Sequence, residues 1–352
     1  MNKPGILSFT CNICGADSRA LASTLSREEA SCKSCGSTVR MRGMIYALAL
    51  ALYGRPVTLP EFEKNMNILG KGMSDWDGYA KPLAKKVGYI NTYYHQEPRL
   101  DITDISPKDI ESIDFLLSTD VFEHVSPPVS SAFLNARKML KPGGSFVFSV
   151  PYTLEGETVE HFPELNEFNI EVRGGKKVLI NKTKDGRMQE YSDLVFHGGE
   201  GETIEMRVFS ESSLVKDLNE AGFSDVQILR DPYFEYGIYW PSPWSLPIIA
   251  RVNGIPLNII DWGPKSISAS APANLQENGR TGLWIKINRT GVASSLQLKV
   301  DDWLVDGLVD SPDLMTAFIP AEALQSEGSK SITLTDVITG VSLYVGSLTI
   351  SA

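Results

Sequence analysis

All four cysteines of this chain fall in its first 35 residues, as Cys11-Asn-Ile-Cys14-Gly15 and Cys32-Lys-Ser-Cys35-Gly36. Two such pairs can fold four thiolates around one tetrahedral Zn²⁺, each glycine permitting the tight turn after its second sulfur. Two disulfides or free thiols are the alternatives; the lack of a secretory signal or further cysteines favours the metal. A site with four protein ligands leaves no position open for chemistry, so this zinc is expected to be structural. A second group with ligand chemistry is Asp120-Val-Phe-Glu123-His124. Three oxygen or nitrogen ligands on one loop suffice to begin a divalent-cation site. The plainer reading, in which Asp120 lines a ligand pocket while Glu123 and His124 fix the loop, is preferred.

The elements that must position that loop are legible around it. Ile113 to Leu117 is a short apolar run ending in Ser118, Thr119 and Asp120, which reads as a buried strand stopping at a polar edge. Apolar residues at Val129, Ala132, Phe133, Ala136, Met139 and Leu140 have helical spacing, with Pro127 and Pro128 just ahead and Lys141-Pro-Gly-Gly behind. Ser145 to Val150 is a second strand, so the unit is a crossover of a parallel, helix-covered sheet. Ligands of such sheets bind beyond the carboxyl ends of the strands, here Ser118 to Glu123 and Val150 to Tyr152. Upstream, Asn65 to Trp76 is a strand running into Gly70-x-Gly72, whose glycines permit a sharp turn and close approach of a ligand. A helix over Tyr79 to Val87 and a strand over Gly88 to Tyr94 follow.

Taken together, the glycine pair, Asp-Val-Phe-Glu-His and Leu-Lys-Pro-Gly-Gly, in this order, make residues 65–230 resemble the class I S-adenosylmethionine-dependent methyltransferases. The resemblance implies an α/β fold, a doubly wound, mostly parallel seven-stranded sheet, and methyl transfer from S-adenosylmethionine. It implies cofactor contacts from Gly70, Gly72, Ser74 and Asp75 or Asp77, and from Asp120 and Val121 at the fourth strand's end. Asp101 would accept from the adenine amino group and Ile102 would supply an apolar wall; for Asp101 a turn or N-cap role is equally open. Two departures stand out. Ile68 replaces the usual acid two positions before the first glycine, and no acid ends the second strand, where Asn91, Tyr93, His95 or Glu97 are the candidates. Methyl transfer to a hydroxyl needs a general base, and His161 is the first candidate, His197 within Phe196-His-Gly-Gly-Glu200 the second.

The 352 residues imply two or three domains: 1–54 as zinc ribbon and linking helix, 55–256 as methyltransferase domain, and 257–352 as an immunoglobulin-like β-sandwich. That last assignment rests on short alternating runs such as Gly282 to Asn288 and Leu343 to Ile350, separated by Gly, Ser, Asn and Asp. Phe168 to Tyr191 reads as strands around two hairpin turns, an insertion suited to a substrate lid. The aromatic belt from Tyr233 to Trp244 is expected to pack between domains more than to stack on a sugar. A formal net charge of −10 weighs against nucleic acid as a partner, although Arg40 and Arg42 are expected at the surface. No run approaches the roughly 18 apolar residues of a membrane span. A cytoplasmic enzyme is therefore expected, methylating oxygen of a small molecule or glycan, with the β domain binding a protein partner or a second copy. The alternative class is a non-catalytic scaffold with a methyltransferase fold, suggested by the two missing acids.

Overall fold

The structure, a computed structural model, describes residues 5–197, 203–252, 259–268, 274, 280–287, 296–311, 314–336 and 342–352. Parts of three sequence readings, Gly198 to Glu200, residues 257–258 and Asn288, lie outside the described residues. The chain divides into two compact units, residues 1–48 with 58–253, and residues 49–57 with 254–352.

The first unit begins with a hairpin, β1 (Ile6–Thr10) and β2 (Asp17–Leu21). Helix α1 (Val39–Tyr53) follows, its residues as far as Leu48 belonging to this unit, with Met44, Ile45, Ala47 and Leu48 all inaccessible to solvent. Its main sheet is built from β3 (Asn65–Met73), β4 (Val87–Thr92), β5 (Ile113–Thr119) and β6 (Leu140–Ser149), interleaved with α2 (Asp77–Leu83) and α3 (Ser130–Met139). After β6 come the short strands β7 (Tyr152–Thr153) and β8 (Val159–Glu160). A three-stranded insertion follows, made of β9 (Glu167–Arg173), β10 (Lys176–Lys182) and β11 (Met188–Tyr191). Its hairpin turns fall at Gly174-Gly175 and Gly186, all with positive φ, where the sequence places them. Then come β12 (Phe196–His197), β13 (Thr203–Ile204), β14 (Arg207–Ser210), α4 (Glu211–Glu220), β15 (Phe223–Ile228) and β16 (Ile248–Val252). Ser210 caps α4, its hydroxyl accepting from the Ser213 N–H at 3.2 Å.

The main sheet runs β15-β16-β6-β5-β3-β4, with β16 running opposite to the other five strands. It has six strands among the described residues, not the expected seven. The segment after β4 pairs with it only at one parallel bridge, Tyr93 with Arg99, the Tyr93 N–H donating to the Pro98 carbonyl and the Leu100 N–H to the Tyr93 carbonyl, both at 2.9 Å. Beyond it Asp101 folds the chain into a local turn. The Asp101 carboxylate accepts from the Thr103 N–H and hydroxyl at 3.0 and 2.7 Å. Leu116, Phe146 and Phe148 from the sheet share one core with Phe133 of α3 and Leu214 of α4.

Gly70 and Gly72 are a second correction. They lie inside β3, not in a turn, with Gly70 opposite Phe115 and Gly72 opposite Leu117 on β5. The chain turns later, at Ser74, whose φ is +59°. The glycines are required because neighbouring rings sit on them: a Cβ at Gly70 would lie 2.1 Å from the Phe115 ring, and one at Gly72 would lie 1.9 Å from the Tyr89 hydroxyl.

The second unit contains two sheets. One is β17 (Ile259–Gly263), β19 (Thr281–Ile287), β23 (Leu314–Ile319) and β22 (Asp306–Ser311). The other is β18 (Ser266–Ser268), β25 (Ser342–Ser351), β24 (Gly328–Asp336), β20 (Leu296–Val300) and β21 (Trp303–Leu304). Ile285 and Met315 from the first share a core with Val300, Ile332 and Leu348 from the second.

Gly70→Ala should destabilise the protein by about 2–3 kcal/mol through overpacking against Phe115. Gly5→Ala, with nothing within 4 Å of the added Cβ, should change it by less than ~0.5 kcal/mol. Urea unfolding of the two variants checks this, and equal midpoints would contradict it.

Candidate active site

Parallel pairing of β3 with β5, Met73 opposite Ser118, brings the ends of both strands to one rim. A cleft of about 310 Å³ lies there, lined by Ser74, Asp75 and Trp76 from the turn, Tyr79 from α2, Thr119 from β5, and Arg40 and Met41 from α1. The sequence reading foresaw the strand ends but not the wall from α1.

Within this rim, Asp75 is buried and accepts hydrogen bonds from the Tyr79 hydroxyl at 2.7 Å and the Tyr89 hydroxyl at 2.5 Å. Burial pushes its carboxyl above the usual value, opposed by those two hydroxyls and by Arg40. Asn91, at the end of β4, clamps the turn: its Oδ1 accepts from the Asp75 N–H at 2.9 Å and its Nδ2 donates to the Asp75 carbonyl at 2.8 Å. Ser74 is exposed, and its N–H donates to the Thr92 carbonyl. Asp120, in left-handed conformation at φ +53°, takes an ion pair from Arg27 at 2.6 Å, a second contact from Arg40 at 3.6 Å, and the Ser149 hydroxyl at 3.1 Å. No motif marks Arg27, which lies within the cysteine-containing segment. Val121 packs against the main core, and Ile102 is buried in it. Asp101, engaged in its own turn, also receives Arg99 at 3.4 Å.

The structure gathers three of the four histidines, His124, His161 and His197, around two glutamates. A short helical turn, Phe122–His124, follows Asp120. The Met206 N–H donates to the Glu123 carbonyl, and the fully buried Arg207 donates to the Phe122 carbonyl, both at 2.8 Å. These bonds lay β14 and the residues before it against the turn. Glu205 there bridges both candidate bases, His161 Nε2 to its Oε1 at 2.9 Å and His197 Nε2 to its Oε2 at 3.0 Å. Sequence reasoning missed Glu205, whose only signal is a lone acid between the apolar Ile204 and Met206. The His124 and His197 rings meet edge to face at 4.8 Å. Glu123 is inaccessible, and neither of its carboxylate oxygens has a hydrogen-bond partner. Burial, then the Asp120 charge, pushes its carboxyl well above the usual range, and burial lowers the His124 pKa. Such a Glu–His–His–Glu arrangement can hold and move a proton or ligate a cation.

The four cysteines also converge. Cys11 and Cys35 lie 3.7 Å apart at sulfur, as do Cys14 and Cys32, and all four sulfurs lie within 4.8 Å of one another. These separations are far beyond a disulfide bond. Gly15 and Gly36 have φ of +77° and +75°, the tight turns read from the sequence. Burial opposes ionisation of Cys32, yet hydrogen bonds from the Ser18 hydroxyl and nearby backbone outweigh it and bring the thiol to about 6. Arg42, expected at the surface, is fully buried; its guanidinium donates to the carbonyls of Ser37, Tyr236 and Gly237 at 2.8–2.9 Å. The aromatic belt packs on α1 here, Tyr233 stacking on Tyr46 at 4.8 Å and Trp240 lying over Gly43.

Residues 58–228 match the model of a family described as a methyltransferase domain. No curated protein matches the chain. Solved structures similar to it include an S-adenosylmethionine-dependent methyltransferase from Clostridium acetobutylicum, 13% identical, covering 53% of this chain and 84% of that one with a TM-score of 0.32. Another is the 1,6-didemethyltoxoflavin-N1-methyltransferase of Burkholderia thailandensis, 16% identical, covering 60% and 78% with a TM-score of 0.34. A sugar N-methyltransferase from a Streptoalloteichus species is 10% identical, covering 62% and 89% with a TM-score of 0.35.

Asp75 generates a pH prediction. Because its folded pKa is raised above the usual 3.8, its ionisation costs the folded state stability as pH rises from about 4 through the folded pKa. Asp75→Asn should therefore gain stability relative to the wild type between pH 4 and pH 7. Urea midpoints of both proteins at the two pH values measure this, and a difference independent of pH would contradict it.

Proposed function

We propose that the methyltransferase domain at residues 58–228 transfers the methyl group of S-adenosylmethionine to an oxygen of a small molecule or of a glycan under assembly. The observation that carries the reading is the pair of imidazoles, His161 and His197, held by one carboxylate beside the strand-end rim. When bound, the cofactor supplies a methyl group already activated by its sulfonium. The cleft at the ends of β3 and β5 is of a size used for small ligands. Trp76, half-buried, offers an aromatic face, and the left-handed Ser74 opens the backbone beside it. In this reading Gly70, Gly72, Asp101 and Ile102 shape the site through packing and turn geometry, while Ser74, Asp75, Asp120 and Val121 stand nearest the cofactor.

A hydroxyl acceptor must lose its proton as the new carbon–oxygen bond forms. Glu205 orients the His161 ring through Nε2, leaving Nδ1 to take that proton. An open trough of about 630 Å³ beyond the end of β6, lined by Pro151 to Glu155, Val208, Pro243 and Trp244, is of a size for the acceptor. Arg27 stands over the Trp244 ring at 5.9 Å while holding Asp120, so one side chain touches both the trough and the rim.

The four converging cysteines support a structural zinc, because tetrahedral thiolates about 2.3 Å from Zn²⁺ stand roughly 3.8 Å apart. Two sheets on one core support an immunoglobulin-like sandwich in the second unit, serving recognition of a protein partner or of a second copy. No helix among the described residues is long and apolar enough to cross a membrane. A cytoplasmic location completes the proposal on the sequence argument alone.

A second reading, a scaffold without turnover, is favoured by the use of Asp75 and Asn91 within the protein. Tyr89 and Asp75 fill the space above Gly72, where a ligand was expected to lie. Calorimetry with S-adenosylmethionine and S-adenosylhomocysteine separates the two readings. The enzyme should bind one of either per chain, and no heat at millimolar ligand would overturn the methyltransferase reading in favour of the scaffold.

A further inference from the structure

We propose that Glu123, His124 and His197 bind a divalent first-row transition-metal ion, in a site separate from the four cysteines. One ligand atom from each lies within 4.8 Å of the other two. The Glu123 Oε1 is 3.7 Å from His124 Nε2 and 3.9 Å from His197 Nδ1. Those separations are too long for a hydrogen bond. They suit two ligands of one ion, since donors about 2.1 Å from a metal stand roughly 3–4 Å apart.

The donor chemistry is set by the opposite side of each ring. His124 Nδ1 lies 2.8 Å from the Ile204 carbonyl, an acceptor only, so Nδ1 carries the proton and Nε2 faces Glu123 as a lone pair. His197 Nε2 lies 3.0 Å from Glu205, so its proton sits there and Nδ1 likewise faces Glu123 as a lone pair. Two imidazole lone pairs thus face a carboxyl group that is inaccessible to solvent and has no hydrogen-bond partner on either oxygen. A cation satisfies all three together. Each imidazole giving its remote N–H to a carbonyl or carboxylate is the support that metal-bound histidines have elsewhere. His161, on the other oxygen of Glu205, holds that carboxylate in place.

Two histidines and one carboxylate leave coordination positions open, as in catalytic and not in closed structural sites. The open positions suit an oxygen ligand, water or the hydroxyl of an acceptor. The assignment differs from the loop site read from the sequence, because Asp120 is held by Arg27 and the third ligand comes from β12. It also leaves His161 as the base, since His197 Nδ1 is engaged.

The test is the zinc content of the full chain. Protein is equilibrated with excess Zn²⁺ at neutral pH without S-adenosylmethionine, desalted, and counted by plasma mass spectrometry. The count is independent of methyl transfer and of cofactor binding. The wild type should hold one zinc per chain more than His124→Ala/His197→Ala. Should that double variant fail to fold by circular dichroism, His197→Ala, altering a side chain 36% exposed, serves in its place, and zinc calorimetry should show the second site weakened at least tenfold. Equal zinc content and affinity in wild type and variant would overturn the proposal.

Discussion

The register of β3 on β5 is the constraint on which the rest of the first unit depends. With Gly70 opposite Phe115 and Met73 opposite Ser118, both strands stop at the same height, and the turns that follow them open side by side. That register is possible only because glycine stands at 70 and 72. Phe115 and Tyr89 stack at 6.1 Å, within 3° of parallel, over positions where any Cβ would collide. The Tyr89 hydroxyl then reaches Asp75 and fixes the turn from below, while Asn91 fixes it from the side. Packing inside the sheet therefore sets the shape of the cleft at its edge.

The N-terminal segment completes that edge. Arg42 is buried with its guanidinium on three backbone carbonyls, two of them at Tyr236 and Gly237. Burying an arginine is tolerable when its donors are matched in this way, and removal of any partner would leave a desolvated charge. The same anchoring sets Arg27 and Arg40 against Asp120. A cysteine-rich lobe that looks in sequence like an independent module is thus part of the wall of the cleft.

Much of the fold was legible because its signals are local. The period of 3.6 in Val129 to Leu140, the Lys-Pro-Gly-Gly stop and the two Cys-x-x-Cys-Gly turns each depend on a few adjacent residues. The misplaced turn at Gly70 was not legible, because a glycine admitting a left-handed turn and a glycine making room for Phe115 read alike. Likewise Asp101 as a turn residue, Arg42 as a buried cation and Glu205 as a bridge between two histidines are fixed by partners 2 to more than 190 positions away. His161 and His197 were singled out one at a time; nothing in their spacing says that they share one carboxylate. Where the resemblance implied a seventh strand, the chain makes one parallel bridge, Tyr93 with Arg99, and then turns at Asp101.

On the proposed function, an S-adenosylmethionine-type ligand seats where the turn after β3 meets the end of β5. Hydrogen exchange followed by mass spectrometry, with and without saturating S-adenosylhomocysteine, tests it most directly. Slowed exchange confined to peptides covering residues 74–79 and 119–121, with the second unit unchanged, is the predicted result. Protection appearing only in residues 259–352, or none in either rim peptide at a concentration where binding is measured, would contradict it.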